Sequence, residues 1–364
     1  MKKTAIAIGA ALAALTGQAA HAQSSVTLYG IVDTSIRYLT NANANNDSQT
    51  SMGIGPVTGS RWGLKGSEDL GGGLTAIFRL ENGFNLWNGQ FANSGTEFNR
   101  MAYVGLASSQ YGTLTVGRQN TPLFDQLGNT FDPLTVGNYD QDSWLPGALG
   151  YGLRANNSVK YNGTFGGINV EGMYAFGNTA GSTGANNMYG LTAAYTFAGL
   201  SVDAGFQQNS DAQNNKFNVI NVGAVYAFTS AVKAYAGWLH SQDNTGIVSQ
   251  YMAAAGSPAG NFGAVTKTNR IDDGFYGGTT WQVTPPLLLT LAGYYDHSRN
   301  GLNTNGTLSR GVRYSGVALA EYALSKRTEV YGTVDFIHGT GSATADFPGR
   351  NNQTGVGVGL RNVF

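Results

Sequence analysis

The feature that most constrains this chain is a period-two alternation of apolar and polar residues, repeated in segments of about ten residues. Val26, Leu28 and Val32 alternate with polar residues near the start, and Val330 and Val334 do so near the end. Such alternation places one apolar and one polar face on each β-strand. Beyond residue 22 there is no run of about 18 consecutive apolar residues, so membrane-spanning helices are excluded. A soluble β-sandwich alternates in the same way, so the period alone does not choose between sandwich and membrane barrel.

Three further features favour a transmembrane barrel. The alternating segments are about 9–12 residues long, which is the length that a tilted strand needs to cross a bilayer. Short and long connections alternate along the chain, as in outer-membrane barrels with tight turns at one rim and long loops at the other. Aromatic residues, among them Tyr174, Phe176, Tyr226 and Phe228, cluster near strand ends as in interfacial girdles.

The pattern predicts an all-β fold, an antiparallel transmembrane barrel of sixteen strands without a linker between domains. The long connections are expected at about 40–59, 120–150, 177–187, 241–269, 298–310 and 339–353. The predicted strands start near Val26, Gly59, Leu74, Phe98, Gly112, Tyr151, Gly167, Met188, Leu200, Phe217, Ala231, Ile271, Leu287, Val312, Thr328 and Thr354.

The first 22 residues have the layout of a secretory signal peptide. Lys2 and Lys3 give a positive start, an apolar run follows, and Ala20-His21-Ala22 is a small-x-small cleavage site. We therefore predict a signal peptide at 1–22 and a barrel domain at 23–364. Its removal leaves 19 basic and 21 acidic residues, a balance that argues against a nucleic-acid partner.

The composition agrees with a barrel that meets lipid outside and water inside. Only 12% of residues are charged, against about 25% in a typical soluble domain. The mean hydropathy is nevertheless −0.17, so the chain is not hydrophobic overall. There is no cysteine, so stability must come from the hydrogen-bonded strand ladder rather than from disulfides.

Charged residues recur on the polar face of the first six strands, and one loop is acidic. Loop 120–150 contains four aspartates and no Lys or Arg. Folded inward, it would face a cationic wall, and rings of charge at a narrow point set ion selectivity. The polar face carries the bases Arg37, Arg61, Lys65, Arg79, Arg100 and Lys160 and the acids Asp33 and Glu81.

Five stretches together resemble the trimeric general-diffusion porins of Gram-negative bacteria, especially those of β-proteobacteria. One departure is Ile31, where such porins often carry a basic residue after Leu-Tyr-Gly. The stretches are SVTLYG at 25–30, SRWGLKGSEDLG at 60–71, NRMAYVGL at 99–106, YGTLTVGRQ at 111–119 and VGLRNVF at 358–364.

The resemblance implies a homotrimer whose third long loop folds into each pore and faces a ladder of arginines. Phe364 would be the signal read by the barrel-assembly machinery for membrane insertion. The constriction residues carried over by position are Arg61, Arg100, Arg118, Arg154, Asp125 and Asp132, with Asp140 and Asp142 close by. Arg118 shares the period of Leu114 and Val116, which suggests the lipid face, so a bend at the strand end is needed to turn it inward.

These features predict passive diffusion of ions and small hydrophilic solutes across the outer membrane, with a mild preference for anions. Outer-membrane lipid and lipopolysaccharide would surround the barrel, and no cofactor or metal is expected. A substrate-preferring channel and a barrel adhesin or receptor, using loop 241–269, stay open as alternatives.

No HExxH or Gly-x-Ser-x-Gly motif is present, so no enzyme is expected, although a hydrolase built on His240 or His297 beside a serine is the remaining catalytic alternative.

Overall fold

Seventeen antiparallel strands form one closed sheet in the computed structural model, which describes residues 25–139, 152–249 and 267–364. The strands are β1 Ser25–Leu39, β2 Gln49–Gly53, β3 Arg61–Gly71, β4 Leu74–Gly83, β5 Met101–Ser108, β6 Gly112–Asn120, β7 Arg154–Phe165, β8 Ile168–Ala175, β9 Met188–Phe197, β10 Leu200–Ser210, β11 Lys216–Ala227, β12 Val232–Asp243, β13 Arg270–Thr284, β14 Leu287–Leu302, β15 Leu308–Ala323, β16 Thr328–Gly341 and β17 Asn352–Val363.

The strands occupy sixteen positions in the wall, which confirms the predicted sixteen-stranded barrel. Strands β2 and β3 share one position, because β1 pairs with β3 along Ser25–Ile31 and with β2 along Ser35–Leu39. On its other edge β1 pairs with β17, from Ile31 opposite Val363 to Leu39 opposite Gly355. That last pairing closes the sheet into a ring, as a barrel in lipid requires.

The two rims differ as the sequence predicts. At one rim the connections are short turns of two to four residues, such as 72–73, 166–167 and 198–199. At the other rim the connections include 121–153 and 244–269, and also 84–100, which was not among the predicted long loops. The connection predicted at 298–310 is wrong in length: it shrinks to 303–307, because β14 continues past a bulge to Leu302 and β15 begins at Leu308.

The two faces of the wall have opposite chemistry. Val104, Leu191 and Val358 are more than half exposed on the outer face of the isolated chain. Asp33, Glu81 and their equivalents on other strands are buried on the inner face. In the described part of the chain no helix has the length and apolarity required to span a bilayer. The predicted signal peptide lies outside the described residues.

The chain terminus completes the ring through Gly30. The backbone N–H and C=O of Phe364 pair with the C=O and N–H of Gly30, each at 3.0 Å. A Cβ at residue 30 would lie 2.4 Å from the Phe364 ring and 2.7 Å from the carbonyl oxygen of Arg61. Glycine is required here because no side chain fits between the terminal ring and the neighbouring strand.

Candidate functional site

A cavity of about 850 Å³ inside the barrel is the candidate site, and most of the charged side chains in its lining are cationic. Two carboxylates, Glu81 and Asp125, face six cations there. The cations are Arg61, Arg79, Arg100, Arg154, Lys160 and Arg361. The period of the strands causes this concentration, because alternate residues of neighbouring strands point to the same interior.

Glu81 on β4 organises the first group of cations. Its fully buried carboxylate accepts a hydrogen bond from Arg79 Nη2 at 2.6 Å and one from Arg100 Nε at 2.6 Å. The Tyr29 hydroxyl donates to the same carboxylate at 2.7 Å and accepts from Arg79 Nε at 2.6 Å. Charge-assisted hydrogen bonds of this kind hold two guanidinium groups in fixed positions on the wall.

Lys160 on β7 organises a second group. Its ammonium forms an ion pair with Asp125 and another with Glu171 Oε2, the latter at 2.7 Å. Asn120 Nδ2 also donates to Asp125, at 2.7 Å. The carboxylate of Asp125 is thereby tied to the wall from which its segment emerges.

Arg61 and Arg154 are cations without an ion pair among the described residues. Arg61 Nε donates to the carbonyl of Gly59 at 3.1 Å. The Arg154 guanidinium lies 5.4 Å from the centroid of the Phe124 ring, in cation–π contact. Guanidinium stays charged at any physiological pH, so both contribute uncompensated positive charge to the cavity.

The segment 121–139, which follows β6, contacts the inner face of the wall. It begins with helix α1, Pro122–Gln126, continues in a wider helical turn over Leu127–Phe131, and is capped where Thr121 Oγ1 accepts from Phe124 N at 3.3 Å. Proline suits the first helical turn, because its missing N–H has no helical partner there.

Apolar packing fixes this segment against the inner face of strands further round the wall from β6. Leu123, Leu127 and Leu134 are buried in one cluster with inward-facing side chains of β11–β16. The wall members of that cluster are Phe217, Val219, Leu239, Tyr276, Ala292, Tyr294, Val317, Leu319 and Tyr331.

Two polar contacts hold the same segment further along. Asp132 accepts hydrogen bonds from Val136 N at 2.6 Å and from the Tyr294 hydroxyl at 2.8 Å. The Tyr139 hydroxyl donates to Ser35 Oγ at 2.7 Å, and the Arg37 guanidinium stacks 3.9 Å over the Tyr139 ring. The segment is therefore attached to strands on both sides of the interior.

The structure brings most of the predicted site residues to one cavity. Those that line it together are Arg61, Arg79, Arg100, Arg154, Lys160, Glu81 and Asp125. Others face the interior elsewhere: Arg37 pairs with Asp335 at 2.5 Å, and buried Asp33 accepts from Tyr331 and Thr58. Lys65 extends over Tyr29, with Nζ 5.5 Å from the ring centroid.

Arg118, Asp132 and two further aspartates are not in this lining. Arg118 Nη2 donates to the Asn99 carbonyl at 2.6 Å and Nη1 to Asn156 Oδ1 at 2.6 Å, on the face of β6 that also presents exposed Val116. Asp132 is buried between its own segment and Tyr294 of the wall. Asp140 and Asp142 lie outside the described residues.

Two contributors to the site were not among the predicted residues: Tyr29, which contacts the lining residues Glu81 and Arg79, and Arg361, which lines the cavity itself. Tyr29 connects Glu81 with Arg79, and its odd position in β1 matches that of inward-facing Asp33. Arg361 pairs with Glu329 at 2.7 Å and with Glu321 at 3.4 Å. The period-two alternation predicts the inward direction of Arg361, because Val358 and Leu360 point outward and the residue after Leu360 must point inward.

The described ranges hold no group of three or more His, Asp or Glu side chains placed to bind a metal ion. The lining instead includes guanidinium, ammonium and amide groups, which donate hydrogen bonds to anions and to water.

Comparison with known proteins gives a consistent result. A family model described as Gram-negative porin matches residues 9–342. An outer membrane porin protein of Bordetella pertussis is 31% identical, and outer membrane porin protein 32 of Delftia acidovorans is 32% identical, each with full coverage of both chains. The solved structure of an anion-selective porin from Comamonas acidovorans aligns with a TM-score of 0.75 and 26% identity, covering 94% of this chain and all of that one.

Proposed function

The chain belongs to the Gram-negative porin family, and from that premise we propose that it forms a water-filled channel for passive diffusion of ions and small hydrophilic solutes across the outer membrane. The observation that carries the proposal is the charged cavity inside the closed wall. Its lining is polar, and the relatives are porins, which are channels rather than enzymes.

The segment 121–139 would narrow the channel. It leaves the wall at β6, is buried through Leu123 and Leu127 in the apolar cluster on the inner face of the wall, and is held by Tyr294 and Ser35. A segment attached on both sides of a lumen leaves only the remaining cross-section open to solutes. On this proposal the constriction runs between Asp125 on the segment and the arginines of β3, β4 and β7 together with Arg100, which immediately precedes β5.

A preference for anions follows from the charges of the cavity. Six cations and two carboxylates line the cavity. Lys160 is also paired with Glu171, and Arg361 with Glu329 and Glu321, whereas Arg61 and Arg154 have no carboxylate partner in the described part of the chain. Positive potential in a narrow pore raises the local concentration of anions and lowers that of cations. The similarity to a porin whose published description is anion-selective supports the same sign.

The mature protein is proposed to be a homotrimer, formed after removal of residues 1–22 and insertion guided by Phe364. Structures of this fold include OmpT, an outer membrane protein of Vibrio cholerae, in a trimer form, which aligns with a TM-score of 0.64 at 15% identity and supports the fold alone. Lipopolysaccharide and outer-membrane lipid would contact the outer face, and the barrel-assembly machinery would insert the chain.

Planar bilayers test the channel directly. Purified trimer is expected to produce ohmic conductance steps in groups of three, because each barrel carries its own pore. Liposomes containing the protein should also swell in small sugars and not in large ones. A correctly folded trimer that produces no steps and no swelling would refute the channel and favour a barrel adhesin or receptor; saturable flux of one solute alone would favour a substrate-preferring channel.

A further inference from the structure

A charged cluster lies on the outer, lipid-facing surface of β12–β16, at the rim that carries the long loops. We call it the rim cluster: His240, Asp273, His297, Arg299, Arg310 and His338. These residues share the face of exposed Phe275, Tyr295, Tyr314 and Phe336, and all three histidines beyond the predicted signal peptide are among them. Charged side chains on the lipid face of a barrel are costly except near the interface, so this cluster needs a partner at headgroup level.

Asp273 is the centre of the rim cluster. It accepts from His240 Nδ1 at 2.8 Å and from Arg299 Nη2 at 3.0 Å, and it lies directly across the strand pair from His297. His240 in turn stacks on Trp238, with ring centroids 5.8 Å apart. One carboxylate thus positions two potential anion-binding side chains beside an aromatic ring.

Arg310 adds a second guanidinium beside Arg299. Ser298 pairs with Gly311 and Gly301 with Ser309, so the bulge between them places Arg299 and Arg310 on neighbouring strands at the same level. Arg310 is exposed and forms no ion pair with any carboxylate of the described ranges. Two arginines therefore face one aspartate, and the cluster is cationic even with neutral histidines.

An apolar groove runs along the same surface below the aromatic residues. Its lining includes Gly293 and Gly316, which are paired across β14 and β15, and Gly277 is paired with Gly293 on the other side. Leu291, Ala318 and Val334 line its sides, and its volume is about 590 Å³. A Cβ at Gly293 would meet nothing nearer than Ser315 O at 3.9 Å, so the missing side chains leave open space rather than allowing close backbone packing.

The distance between groove and cluster fits one lipid. Six residues separate Gly293 from Arg299, which is about 20 Å along a strand. With a tilt of about 45°, this becomes about 14 Å along the membrane normal, or half of the hydrocarbon thickness. The groove therefore begins near the bilayer centre and leads up to the cluster through one leaflet.

We propose that this surface binds a phosphorylated lipid of the leaflet on the long-loop side. The phosphate lies between Arg299 and Arg310, since the planar guanidinium groups match phosphate geometry with two parallel hydrogen bonds. His297 and His240 supply further donors. One acyl chain fills the groove over Gly293 and Gly316, below the band of Tyr295, Tyr314 and Phe336, a class of residue that favours the membrane interface. The site is separate from the channel, which lies on the other face of the same strands.

Native mass spectrometry of the full trimer with added synthetic lipids tests the proposal. Phosphatidic acid should form adducts that survive dilution, whereas diacylglycerol with the same chains should not. The double variant R299Q/R310Q is expected to bind phosphatidic acid at least about tenfold more weakly, because two charge-assisted contacts are lost. The matched control K326Q/R327Q removes two cations from the short turn 324–327 at the opposite rim and should bind as the wild type does.

Two further arms identify the ligand. Gly316→Leu fills the groove without a collision, because a Cβ there meets nothing nearer than Ala292 O at 4.0 Å, and it should weaken phosphatidic acid adducts while channel conductance is unchanged. Inorganic phosphate should not displace the lipid. The proposal is overturned if R299Q/R310Q binds like the wild type, if the control loses binding equally, or if inorganic phosphate displaces the lipid completely. It is also overturned if Gly316→Leu dissociates the trimer with adducts unchanged, because the groove would then face a second copy of the chain.

Discussion

Replacing Glu81 with Gln tests how the charges of the cavity act on permeating ions. The substitution keeps the size of the buried side chain and removes one of the two negative charges in the lining. Arg79 and Arg100 lose the carboxylate that both contact at 2.6 Å. The surrounding positive charge is then less compensated, so the anion preference should rise.

The size of that increase can be worked from elementary electrostatics. A unit charge about 6 Å from a permeating ion is worth about 0.7 kcal/mol in water, and screening at physiological salt reduces this to about 0.3 kcal/mol. The local anion concentration rises about 1.7-fold and the cation concentration falls by the same factor, so the anion-to-cation permeability ratio increases about threefold. A lower dielectric constant inside the pore would make the change larger.

The assay is the reversal potential of single trimers in a KCl gradient, compared between wild type and Glu81→Gln. Asp211→Asn is a matched control, because it removes one negative charge from connection 211–215, outside the strands and the cavity. The control should leave the permeability ratio unchanged. A Glu81→Gln channel of normal conductance whose ratio is unchanged, or moves toward cations, would refute the electrostatic reasoning.

Three other predictions concern the segment, a loop contact and barrel closure. Asp132→Ala removes the acceptor for Val136 N and the Tyr294 hydroxyl, so segment 121–139 should loosen; single-channel current noise should increase, and noise equal to that of the wild type would contradict the anchoring role. Burial alone would raise the pKa of Asp211, but hydrogen bonds from Lys267, Asn215 and backbone N–H groups lower that pKa to about 2. Because the folded-state pKa is depressed, this contact contributes full stability above about pH 4 and loses it as the pH falls toward 2; the difference in unfolding free energy between wild type and Asp211→Asn should shrink over that interval, and a difference that grows would contradict the assignment. Gly30→Val places carbon atoms where the Phe364 ring lies, so the yield of heat-modifiable folded barrel on gels should fall sharply, with Gly53→Val, which has open space around it, as the unaffected control.

The strand layout was largely predictable because period two and turn composition are local signals. Fifteen of the sixteen predicted strand starts are within three residues of the observed starts. The exception is β15, which was predicted to begin at Val312 and begins at Leu308, opposite the bulge after Ser298 that interrupts the alternation. Strand β2 was missed, since Gln49–Gly53 has no apolar alternation and is a strand only because β1 offers it an edge.

The candidate site was predictable to the extent that parity, the odd or even position of a residue in its strand, decides whether its side chain points inward or outward. Parity placed Arg61, Arg79, Arg100, Lys160 and Glu81 on the inner face, where they line the cavity. The role of Asp132 was not predictable in this way, because its contacts depend on a segment that folds back on residues more than 150 positions away. Parity also predicts that Arg118 lies on the same face of β6 as Val116, and the structure places Arg118 on that face.

The rim cluster shows a second limit of sequence reasoning. His240, Asp273 and Arg299 are far apart in the chain and become neighbours only through the register of β12, β13 and β14. A shift of one residue in either pairing would send alternate side chains to the opposite face. Register, more than composition, therefore decides whether such residues form a site.

The most direct test of the account is the sign of ion selectivity in wild-type trimers and in the double variant Arg61→Gln with Arg154→Gln. These two cations line the cavity without an ion pair in the described ranges, so their loss should not leave a buried carboxylate unpaired. In a KCl gradient the wild type should give a reversal potential of anion-preferring sign, and the double variant should move it clearly toward zero. A wild-type potential of cation-preferring sign, unchanged in the double variant, would contradict the claim that arginines of the inner wall control permeation.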